Sequence, residues 1–147
     1  MVGSLPVRMT PRMSAAFAVA AAAALAAGCQ PTSTSSDSAG KFRGDQRLVA
    51  QTVEDLESAA GDNDEAKICR DLLSRALAGR LAQGGRSCTA SVDEAVKDAD
   101  SLELSVESVR VAGDRATARV KLETGKTDRR ATLRFVRENR RWKVSDL

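Results

Sequence analysis

The chain has 147 residues, no histidine, no tyrosine, aromatic residues at 3% and a formal net charge of +3. Arg8 and Arg12 stand ahead of any acidic residue, so loss of a leader holding both leaves a charge of about +1, which points to no nucleic-acid partner. The composition also excludes histidine-based catalysis and leaves room for one domain with a small aliphatic core.

Met1 to Met13 is basic, and Ala15 to Ala27 is an unbroken apolar run of 13 residues. Small residues then lead to Cys29. A basic n-region, an apolar h-region and a cleavage site in that order read as a signal peptide over residues 1–28. A membrane-spanning helix needs about 17 to 25 apolar residues, so this run is too short for a permanent span. The stretch Leu25-Ala26-Ala27-Gly28-Cys29 resembles the lipobox of bacterial lipoproteins, with Ala26 where that pattern favours leucine and Leu25 one step before it. The resemblance implies a thioether-linked diacylglycerol on Cys29. It also implies a lipid-anchored address on the extracytoplasmic face of the cell membrane, with the membrane itself as a partner. Ordinary secretion is the competing reading. Gln30 to Gly44 is rich in Ser, Thr, Pro and Gly with little to bury, so residues 29–44 are expected to form a disordered tether.

From Asp45 the pattern turns helical: Leu48, Val49, Thr52, Val53, Leu56 and Ala59 recur at three- and four-residue steps, with Glu54, Asp55 and Glu57 opposite. Gly61-Asp62-Asn63 ends this helix. A second helix is expected from about Asp64 to Leu81, with Ile68, Cys69, Leu72, Leu73 and Leu77 on one face, and Gly84-Gly85 stops it. Assigning Cys29 to lipid leaves Cys69 and Cys88 as a pair suited to a disulfide in an oxidising compartment. A metal site or two buried thiols are the alternatives, and the absence of histidine argues against metal. A third helix is expected to open at the capping-box pattern Ser91-Val92-Asp93-Glu94 and run to about Ala99, with Val92, Ala95, Val96 and Ala99 inward.

After Asp100 the period changes to two. Leu102, Leu104 and Val106 alternate with polar residues, the phase then slips, and Val109 and Val111 carry the alternation on, which predicts a β-bulge near Glu107-Ser108. Gly113-Asp114, Gly125-Lys126 and Asn139-Arg140 suit turns. Between them Ala116, Ala118, Val120 and Leu122, then Ala131, Leu133 and Phe135, then Trp142 and Val144 face inward, with Phe135 and Trp142 as core anchors. Three helices followed by a four-stranded antiparallel meander make an α+β domain, helices covering one face of a curved sheet.

This order of elements and the closing "RFVRENRRWKVSDL" resemble the nuclear-transport-factor-2-like cone, a fold that many small bacterial lipoproteins use. Trp142, Lys143, Val144 and Asp146 match the ending of its last hairpin, and the resemblance covers Asp45 to Leu147. It implies an interior cavity and a binding domain for a small apolar ligand. A cystatin-like helix-on-sheet arrangement is the nearest alternative.

Enzymes of the cone fold place Asp with Tyr, His or Arg inside it, and this chain has neither of the first two partners. Asp71, Asp98 and Asp146 remain as candidate acid or base residues, each equally at home on a solvated helix face, a helix end or a terminal strand. No catalytic residue, cofactor or metal is therefore expected. Residues 45–101 carry a net charge of −5 and residues 102–147 a net charge of +5. Strand alternation sends Arg119, Lys121, Arg130, Arg134, Arg141 and Lys143 to the face opposite the core, where they could meet an acidic envelope partner or anionic headgroups. The same residues also fit a solvated sheet face partly neutralised by Glu103, Glu123 and Asp128. A binding domain, a structural accessory subunit of an envelope complex and a small enzyme are the three functions this leaves open.

Overall fold

The computed structural model describes residues 38–97, 102–124 and 127–147. The expected leader, Cys29, the expected tether up to residue 37, Asp98, Ala99 and the turn expected at Gly125-Lys126 lie outside these residues. The described chain is α+β, with four α-helical segments and one four-stranded antiparallel sheet in the order β1-β2-β3-β4. The helices are α1 (Gly44–Gly61), α2 (Glu65–Lys67), α3 (Arg75–Leu81) and α4 (Cys88–Val96); the strands are β1 (Leu102–Ala112), β2 (Arg115–Thr124), β3 (Thr127–Glu138) and β4 (Arg141–Asp146). None of these helices is long and apolar enough to cross a membrane.

The sheet follows from alternation and turn chemistry. Gly113 takes a positive φ of 60° in the two-residue turn between β1 and β2, and the Arg137 N–H donates to the Asp114 carbonyl beside it at 2.8 Å. Asn139 and Arg140 both have positive φ, the conformation a type I′ hairpin turn requires. The bulge stands where the phase slip placed it: Val106 pairs with Val120 and Ser108 with Arg119, which leaves Glu107 as the extra residue. One additional residue returns Val109 to the face that buries Leu104 and Val106.

Helix α1 packs mainly on β1 and buries Val49, Ala50 and Val53. Its polar side chains also close the outer edge of that strand. Gln46 Nε2 donates to the Val109 carbonyl at 3.0 Å, and the Glu57 carboxylate faces the Leu104 N–H, with its Oε2 buried without a partner among the described residues. The expected tether is shorter than residues 29–44, because Ser38 already belongs to the fold. Ser38 Oγ accepts from the Val106 N–H at 3.3 Å, Ala39–Lys41 form a 3-10 turn, and Glu54 Oε1 accepts from the Ser38 and Ala39 N–H groups at 2.8 and 2.7 Å. An unpaired strand edge invites other strands, and these three elements occupy it.

The second helix is not continuous. Ile68–Leu72 is π-helical, with the Leu73 N–H donating to the Ile68 carbonyl at 2.9 Å, and the chain then straightens at Leu73 and Ser74. Leu73 forms a parallel bridge with Val144, and the Ser74 N–H donates to the Val144 carbonyl at 2.8 Å. The break lets the chain satisfy the outer edge of β4. Fully buried Ser74 then restarts the helix by accepting from the Leu77 N–H at 3.1 Å.

The third helix begins earlier than the capping-box pattern predicts. Ser87 caps it, accepting from the Ala90 N–H at 3.1 Å, whereas Ser91 Oγ donates to the Leu81 carbonyl at 2.8 Å and ties α4 to α3. Val92 is buried and Val96 partly so, but Ala95 is exposed.

Candidate binding surfaces

The arginine and lysine side chains expected on one face separate into three groups. Arg119, Lys121, Arg130 and Arg134 share the face of the sheet opposite the core. Lys121 is held by Glu123 and by Asp128 at 3.1 Å, which raises its affinity for the proton, first through the hydrogen bond it donates to Glu123. Arg130 pairs with Glu107 on the bulge at 2.9 Å, and Arg134 with Asp146 at 2.9 Å. Arg141 stands at the β3–β4 turn, beside a different cleft. Lys143 donates from Nζ to the Arg70 carbonyl at 2.8 Å and helps fasten β4 to the π-helical segment.

Two exposed arginines join this face that the strand alternation had not singled out, Arg110 on β1 and Arg115 on β2. Arg110 pairs in register with Thr117, and Thr117 pairs with Arg134; Arg115 and Arg119 flank Thr117 two residues to either side. Thr117 is thus ringed by four arginines, and a cleft of about 200 Å³ opens there against Ala116 and Phe135. Among the described residues Arg110, Arg115 and Arg119 form no ion pair, and Arg134 has only the shared carboxylate of Asp146. The signal for Arg110 is the changed outward phase after the bulge, and for Arg115 the position four before Arg119.

A larger cleft, about 360 Å³, lies between α1, the segment Lys67–Leu72 and the β3–β4 turn. Leu48, Leu72 and Trp142 supply its apolar wall; Asp55, Asp71, Lys67, Arg140 and Arg141 supply charge. Leu48 is 45% exposed there, so this residue of the α1 stripe faces the cleft and leaves the core to its neighbours. Trp142 is 3% exposed and its ring lies under the Arg137 guanidinium, 5.4 Å from centroid to Cζ, while Arg137 pairs with Asp45 on α1 at 3.0 Å. The Thr52 hydroxyl lies 3.0 Å from the Leu48 carbonyl and 3.4 Å from the Trp142 carbonyl, and the indole N–H is buried without a partner among the described residues. A volume in this range suits a small molecule, and the mixed wall suits an amphipathic one over a purely apolar one.

The interior positions that a ligand-holding cone would use are packed together. Phe135, Val49, Val53, Val120 and Val144 are fully buried in one hydrophobic cluster with Trp142. The carboxyl candidates for catalysis lie elsewhere. Asp71 lines the larger cleft, but the Arg70 guanidinium hydrogen-bonded to it at 2.9 Å holds its carboxyl below the ordinary range, helped by Lys143 and Arg141. Asp146 is shared between Arg134 and Arg80. The carboxyl whose affinity for the proton is raised is Glu57, through burial and the charges of Glu103 and Glu54, and it serves the β1 edge. Cys69 and Cys88 form a disulfide, joining the π-helical segment to the first turn of α4. No protein-family model matches this chain, and no curated protein matches it.

Proposed function

We propose that this chain is a lipoprotein anchored by a lipidated Cys29 to the extracytoplasmic face of the cell membrane, carrying a non-catalytic binding domain. On this reading the domain is a member of the nuclear-transport-factor-2-like group, its helices packed on a curved meander sheet. The disulfide carries the proposal: with Cys69 and Cys88 paired, Cys29 is the one cysteine left over, and it sits in the sequence that resembles a lipobox. The packed interior moves binding to the surface. The cleft beside Trp142 is suited to a small amphipathic molecule, its body against Leu72 and Trp142 and its charged end among Lys67, Arg140 and Arg141. A structural accessory subunit is the second reading, favoured by the same packed interior.

Fractionation of cells producing the wild type and Cys29→Ala tests the anchor. The wild type should sediment with membranes and show the intact mass of a chain beginning at lipidated Cys29, gaining two hydrogens on reduction. The variant should accumulate as precursor or in soluble form. Unchanged membrane association of Cys29→Ala would overturn the lipid assignment.

A further inference from the structure

We infer that the four arginines around Thr117 form a docking site for the phosphate headgroups of an anionic bilayer. Across an antiparallel pair, directly opposed side chains have Cβ atoms about 5 Å apart and diagonal neighbours about 7 to 8 Å apart. Arg110 and Arg134 are the direct neighbours of Thr117 on the two flanking strands, and Arg115 and Arg119 stand next to it along β2, on the same face. Four like charges at such spacing repel one another, and among the described residues one carboxylate, Asp146, stands against them. The charge is compensated elsewhere on the same face, where Glu107, Glu123 and Asp128 neutralise Arg130 and Lys121. The deficit is therefore local, and it coincides with the 200 Å³ cleft lined by Arg110, Arg115, Thr117 and Arg134. Guanidinium forks bind phosphate oxygens in pairs, and the Thr117 hydroxyl adds a donor at the centre.

Two observations favour a lipid surface over an acidic protein. A protein interface combines arginine with buried aromatic and apolar anchors at its centre, and among the described residues the exposed large hydrophobic residues, Leu48 and Leu147, lie off this face of the sheet. The second depends on the proposed lipidation: only eight residues separate Cys29 from Ser38, a reach of about 30 Å at most. A cationic face tethered that closely meets headgroups at high effective concentration.

The test uses the chain from residue 29 onward with Cys29→Ser, so that its outcome does not depend on whether Cys29 carries lipid in cells. Binding is measured by co-sedimentation with vesicles of phosphatidylglycerol mixed with phosphatidylcholine, against vesicles of phosphatidylcholine alone. Each arginine near an anionic leaflet contributes about fivefold in affinity. The triple variant Arg110→Gln, Arg115→Gln, Arg119→Gln should lose about a hundredfold on the anionic vesicles. The triple variant Lys41→Gln, Arg43→Gln, Arg47→Gln, with the same change in net charge but away from the sheet face, should bind within a few fold of the parent. Near-ultraviolet circular dichroism from Trp142 reports that all three chains are folded. Absence of binding to anionic vesicles at low salt overturns the inference, as does an equal loss in both triple variants. Binding to soluble polyglutamate without binding to vesicles overturns it too, and assigns the cluster to an acidic protein.

Discussion

Trp142 is in contact with three kinds of neighbour: the guanidinium of Arg137 over its ring, the Thr52 hydroxyl at its carbonyl, and the hydrophobic cluster around it. Trp142→Ala should cost about 3 to 5 kcal/mol in urea unfolding, because the cavity would lie in a packed core. Trp142→Phe should cost about 1.5 kcal/mol or less, since the indole N–H it removes has no partner among the described residues. A Phe variant as unstable as the Ala variant would show that the full indole shape is needed. Glu57 is the opposite case, a charged side chain placed inside by its strand neighbour. Burial makes its folded carboxyl bind the proton more readily than the unfolded one. Its contribution is therefore most favourable at low pH, and declines as pH rises from the ordinary glutamate range through the raised folded value. Glu57→Gln keeps an oxygen for the Leu104 N–H and removes that charge. Relative to the wild type, the variant should gain stability in denaturant titrations as pH rises above the ordinary glutamate range. Parallel stabilities over that rise would show that the carboxyl is not buried as described. Helical periodicity puts Glu57 among Glu54 and Asp55 on the polar side, and only the edge of β1 explains why it is covered.

Strands and helices differed in how far their sequence declared them. Strand alternation carries an absolute phase, so one slipped residue shows at once, and the bulge at Glu107 was legible for that reason. The second helix was not, because its apolar stripe runs on past Leu73, and what interrupts it is the edge of β4 about seventy residues later. Ser74 was the local clue, a good cap standing inside an apparently continuous helix. The segment before α1 reads as tether for a related reason: Ser, Gly and Lys have little to bury by themselves, yet they close the edge of β1. A chain beginning at Gly44 should be about 3 kcal/mol less stable than one beginning at residue 37, from the lost burial of Ala39 and Phe42 and the lost hydrogen bonds. It should also associate more readily through the exposed edge, which sedimentation velocity would detect. Equal urea midpoints for the two chains would return residues 38–43 to the tether.

For the molecule as a whole, charge and covalent closure are arranged around the two layers. Acid collects in residues 45–101 and base in residues 102–147, and the Cys69–Cys88 link closes a loop within the acidic part. A loop of that length restricts the unfolded chain enough to contribute about 3 kcal/mol in the chain-entropy treatment. By itself the sequence determined the α+β order of elements, the inward row of the sheet with Phe135 and Trp142, and the phase slip on β1. Those features are local: each is set by the period of side-chain direction or by a count along the chain. Only the tertiary structure decided which arginines are compensated and which are not, that Arg141 and Lys143 leave the group while Arg110 and Arg115 enter it, and where the second helix breaks. Register between strands brings together side chains far apart in sequence, and the unsatisfied edges of β1 and β4 draw in segments whose own composition does not say where they will be needed.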